Sequence, residues 1–185
     1  LNSGGTWSNA TANATVTLRG GLTHNGAAFN AGTGLYTFDT NAQAIGGSSA
    51  IAIPSLTVTG VTLTNSGTLT VATALSGTGG LTNSATGTLN IGTSAAITTL
   101  TASAAGNTVN YTGTAQTVKA ATYHHLGLSG SGTKTLTGVS TVNGNLSLSG
   151  TVSATTASAF SIGGNLVVGA GSGGVSVMVA DSGVI

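Results

Sequence analysis

The chain has 185 residues, of which 39% are apolar and 3% are charged, with a net charge of +1 and no cysteine. Three cations over that length cannot form the basic surface that nucleic acid or anionic lipid requires, so neither is an expected partner. The missing cysteines remove disulfides and thiolate metal sites. Near-zero net charge also removes the repulsion that keeps copies of a protein apart, so self-association is the default expectation. No apolar run approaches 18 residues, and a transmembrane segment is not expected.

The predicted elements are short strands. Apolar residues recur at i and i+2 between small polar neighbours, which is the alternation of a half-buried strand. In chain order the pairs are Val16/Leu18, Tyr36/Phe38, Leu56/Val58, Val61/Leu63, Leu69/Val71, Leu89/Ile91, Val109/Tyr111, Leu126/Leu128, Leu146/Leu148 and Leu166/Val168. The tail from Val175 to Ala180 reads as one more alternating strand. Apolar spacing at i, i+3, i+4 and i+7 does not persist for three turns, so no helix is expected. The single proline, Pro54, falls just before the strand at Leu56, where a missing N–H is tolerated.

The strands repeat. Gly67-Thr68-Leu69-Thr70-Val71 returns twenty residues later as Gly87-Thr88-Leu89-Asn90-Ile91. Leu126, Leu146 and Leu166 keep the same interval, as do Leu128, Leu148 and Val168. Leu63-Thr64-Asn65-Ser66 comes back as Leu81-Thr82-Asn83-Ser84 after eighteen residues, so coil length varies. A longer echo, 73 residues apart, relates Phe38-Asp39-Thr40-Asn41-Ala42-Gln43 to Tyr111-Thr112-Gly113-Thr114-Ala115-Gln116. Coils of about twenty residues with Gly, Ser and Asn corners describe an all-β, single-stranded parallel β-solenoid. One continuous array is expected over 1–185, as part of a longer assembly, with roughly nine coils at about 4.8 Å each. Its expected core ladder is Leu69, Val71, Leu89, Ile91, Leu126, Leu128, Leu146, Leu148, Leu166 and Val168.

Catalysis is not expected, on inventory. The carboxylates are Asp39 and Asp181, 142 positions apart, where acid–base sites need a close pair. His124 and His125 are adjacent, and adjacent strand residues point to opposite faces, so they make a poor metal grip; His24 is several coils away. Tyr123 beside them reads as a packing residue. The run 127–135 resembles a phosphate loop, but Thr133 separates Gly132 from Lys134 and no helix follows, so it reads as a corner. No cofactor and no metal are expected. Thr-x-Thr triplets occur at 15/17, 57/59, 62/64, 68/70, 99/101 and 135/137. Alternating Thr resembles the flat face of β-solenoid antifreeze proteins and implies ice binding. Their irregular spacing predicts that they do not fall on the same strand of successive coils. Among the aromatics, Trp7 is the one candidate to test for ligand contact.

Segments such as 81–91 and Thr133-Lys134-Thr135-Leu136-Thr137-Gly138 resemble the tandem repeats of large bacterial surface proteins. These are autotransporter passengers, filamentous-haemagglutinin-like adhesins and Bacteroidetes-type surface repeat proteins. The resemblance implies a right-handed solenoid, extracellular at the bacterial cell surface, forming a stalk or fibre. The expected function is therefore a structural, self-associating segment of a filament, sheath or adhesin stalk. The alternatives are an adhesin module that meets glycan or a cell surface through corner loops, and an ice-binding solenoid.

Overall fold

The computed structural model describes residues 1–156 and 159–169, together with the backbone of the strand Ser176–Val179. Asp181, and Val175 and Ala180 at the ends of the predicted last strand, lie outside the described residues. All described elements are strands, and they pair in parallel. They stack as a solenoid of about eight turns, near the nine expected from the repeat. Parallel pairing follows from the topology, because each coil returns to the same side in the same direction.

Three columns of strands result, one for each side of the coil. The first begins with Val16–Leu18 and Leu35–Phe38, followed by residues 55–58, 74–77 and 95–97. It resumes with Gln116–Thr117, Ser131–Thr135, Thr151–Thr156 and Ser176–Val179. The second holds Leu22–Thr23, Gln43–Gly46, Thr62–Asn65 and residues 80–83 and 99–101. Bridges at Tyr123 then lead it to Thr141–Val142 and Ser161–Ile162. The third holds residues 51–53 and 69–71, then Thr88–Ile91, Thr108–Tyr111, His125–Leu128, Leu146–Leu148 and Leu166–Val168.

The core runs down the inside of the columns. In the third, Ile51 stacks on Leu69, Leu89, Val109, Leu126 and Leu146, all buried. Ile53, Val71, Ile91, Tyr111, Leu128 and Leu148 form a parallel ladder, also buried. A coil is too thin to enclose its own apolar face, so each rung is covered by its neighbours. The expected ladder needs one correction. Leu166 and Val168 keep the register but are 48% and 52% exposed. No described strand follows theirs in the column, so that rung is covered from one side.

Two local departures absorb the uneven coil length. Pro54 lies inside the strand Ile51–Val58 rather than before it, at the register shift between Ile53 and Ser55. A residue without an N–H fits where the ladder is already interrupted. Leu63, Thr64 and Asn65 pair with Leu81, Thr82 and Asn83, so the eighteen-residue echo is a true coil.

Candidate functional site

The polar residues inside the coil explain the 73-residue echo. Gln43 and Gln116 each follow an inward aromatic, Phe38 and Tyr111, at two different corners of the coil, and both are buried. Gln43 accepts the Gly21 N–H at 2.9 Å and donates to Thr40 O at 2.6 Å. Gln116 accepts the Gly113 N–H at 2.9 Å and donates to the carbonyls of Ile91 and Thr93. A primary amide offers two donors and one acceptor group, which suits a corner where backbone groups have left the ladder.

Lys134 overturns the reading of 127–135 as a plain corner. It lies in the strand Ser131–Thr135, paired with Gln116 on one side and Ala154 on the other, and is fully buried. Its ammonium donates to Gly113 O at 2.6 Å, Thr114 O at 2.7 Å and Gln116 Oε1 at 2.6 Å. Three protons meet three acceptors of the preceding coil. Burial pushes its pKa down to about 8. The alternation held the signal: Leu136 points inward, so Lys134 at i−2 must do so too.

A second buried series lies at another corner. Asn65 donates to Asn83 Oδ1 at 2.8 Å, Asn83 to Gly87 O and Thr108 O, and Asn107 to Asn83 O at 2.7 Å. All three asparagines are fully buried. His124 and His125 continue the same role. His124 Nδ1 accepts the Gly106 N–H at 3.2 Å, and His125 Nδ1 accepts the Asn145 N–H at 3.0 Å. One coil further, Asn145 Oδ1 accepts the Asn165 N–H at 2.9 Å. The two imidazoles do not point to opposite faces as expected: they pack edge to face with centroids 4.2 Å apart. His124 precedes the strand His125–Leu128, so strand alternation does not govern it. Both Nδ1 atoms are occupied by backbone amides.

Tyr123 is fully buried and donates to Lys119 O at 2.6 Å, with its hydroxyl 3.1 Å from that of Tyr111. Burial raises both phenols above the usual tyrosine range. Asp39 pairs with Arg19 of the preceding coil at 3.2 Å, and the hydrogen bond from Arg19 holds its carboxyl below the usual range. Among the described residues no three His, Asp or Glu side chains come together. No helix among them is long and apolar enough to cross a membrane.

No two Thr-x-Thr triplets fall on the same strand of successive coils, as their spacing predicts, but individual threonines do align from coil to coil. On the second side Ala44, Thr64, Thr82 and Thr101 share one column, and Thr62, Gly80 and Thr99 share the next. The bridges Ala102–Tyr123 and Tyr123–Val142 carry the first of these on through Thr122 and Thr141 to Ser161. Thr17, Thr37, Thr57 and Ser76 line up on the first side, and Thr68, Thr88 and Thr108 on the third. Strand register, rather than constant spacing in the chain, keeps the columns straight, because corners of unequal length take up the difference.

Trp7 is 41% exposed, and its indole donates to Tyr36 Oη at 3.1 Å. It borders an apolar cavity of about 200 Å³ with Leu1, Val16, Leu18, Leu22 and Phe29. No family model, curated protein or solved structure matches the chain.

Proposed function

We propose that the chain is a structural, self-associating segment of an extracellular bacterial filament, sheath or adhesin stalk, with no catalytic role. One observation carries this reading. Buried polar side chains at the corners, Gln43, Gln116, Lys134, Asn83 and the histidine pair, bond to backbone groups of neighbouring coils. Chemistry that would act on a ligand is instead used to tie coils together. A surface with almost no charge favours lateral contact between rods. Sedimentation velocity over a concentration series, read beside negative-stain microscopy, tests the proposal. Concentration-dependent rods of uniform width are expected, and monomers at every concentration would overturn it.

The aligned threonines favour a second reading, an ice-binding face on the second side. Column spacing there is about 4.8 Å along the rod and roughly 6.6 Å between i and i+2. Gly80 interrupts one column, and a Cβ at that position would stand in ordinary contact with Thr99 at 3.5 Å. Gly80→Thr would therefore complete the array between Thr62 and Thr99. Thermal hysteresis that rises in Gly80→Thr and vanishes in Thr82→Lys would support ice binding; none in the parent chain would remove it.

A further inference from the structure

We propose that His124 and His125 form an acid-sensitive latch joining three successive coils. The ring nitrogen that carries the proton decides the chemistry of the joint. Each Nδ1 accepts a backbone N–H, from Gly106 in the coil before and from Asn145 in the coil after. An acceptor nitrogen holds no proton, so in this arrangement His125 carries its single proton on Nε2. The His125 ring fits closely against the next coil: a Cβ on Gly144 would stand 2.6 Å from its Nδ1.

Protonation reverses the chemistry of the joint. An imidazolium presents N–H at Nδ1, so the amide of Asn145 or Gly106 would face another donor in place of its acceptor. Charging both rings would also set two cations edge to face at a centroid distance of 4.2 Å. Nothing nearby compensates. The corner 102–107 before the pair and the segment 143–148 after it contain no ionisable side chain. Tyr111 in the adjacent strand and Tyr123 beside His124 direct their hydroxyls to each other and to Lys119. Asp39 is paired with Arg19.

Burial, and secondarily the charge of His124, hold His125 below the usual imidazole range. The unfolded chain therefore binds more protons than the folded one between pH 6.5 and the lower folded value. The latch contributes fully above that window and weakens as the pH falls through it. The neighbouring rung has no such sensitivity, because Asn145 offers Asn165 an amide oxygen that does not titrate in this range.

That rung is the internal control for the test. Backbone amide exchange in the intact protein should show Asn145 losing protection by about tenfold or more relative to Asn165 between pH 8 and pH 5. The double substitution His124→Asn and His125→Asn keeps an acceptor while removing the titration, and should abolish the difference. A constant ratio of Asn145 to Asn165 protection in the parent protein would overturn the latch. So would an equal loss in the double variant. Because the parent comparison stands alone, the proposal remains testable even if the variant does not fold.

Discussion

Lys134 places all three of its ammonium protons inside the coil, which makes it the most exacting single residue in the chain. Lys134→Met would leave Gly113 O and Thr114 O without that donor, and should lower stability by about 2–4 kcal/mol. Thr133→Ala, one position away and exposed, should stay within about 0.5 kcal/mol. Urea titrations of the two variants compare them directly. The lysine also predicts a pH dependence. Its folded pKa of about 8 lies below the ordinary value near 10.4, so the unfolded chain holds more protons between the two. Stability should rise with pH from about 8 towards 10 and lack that rise in Lys134→Met. Above pH 10 the sign reverses, because Tyr111 and Tyr123 keep their protons when folded and lose them when unfolded. Asn83 follows the same residue-scale logic. Asn83→Ala strips the donor from Gly87 O and Thr108 O and should cost about 2–3 kcal/mol by thermal or urea unfolding. Asn90→Ala breaks the outer hydrogen bonds to Thr70 and from Asn110, at a partly exposed position, and should cost only about 1 kcal/mol.

At the scale of the strand and corner, the backbone decides more than the side chain. Gly77 sits at φ +120°, and a Cβ there would run into the carbonyl of Val58 in the coil below. Gly77→Ala should therefore destabilise by more than the usual 1 kcal/mol or so of a strained site, while Gly80→Thr, three residues on, should be tolerated. Thermal unfolding of the pair provides the comparison. The strands themselves were legible, because alternation of Leu, Val and Ile with small polar residues fixes which side faces inward. Leu69 on Leu89 and Leu126 on Leu146 follow from the twenty-residue interval. The corners were not legible. Gln43, Gln116 and the buried asparagines look like ordinary polar residues until the next coil supplies their partners, which lie 18 to 25 positions away. Lys134 was missed for a related reason: a cation is expected outside, and its acceptors come from another coil. The threonine columns were hidden because a fixed period was sought where corners differ in length.

For the whole molecule, stability is a property of the stack. The coils contribute thin slices of Leu, Val and Ile, and corner residues such as Asn83 and Lys134 bond to the backbone of neighbouring coils. That arrangement joins fold to proposed function, since a body built by repetition extends without needing a new core. It also confines weakness to particular joints, with the histidine pair as the one that acid would open. The whole stack depends on the register between coils of unequal length. Paired cysteines test it: neighbouring parallel strands lie about 4.8 Å apart, within reach of a disulfide, whereas an offset of two residues exceeds that reach. Oxidation of a Thr64→Cys, Thr82→Cys protein should close the bond across eighteen residues, read as a mass loss of about 2 Da for two hydrogens. Thr64→Cys with Ser84→Cys, the pair that a strict twenty-residue repeat would align, should remain reduced. The opposite pattern would contradict the stacked register.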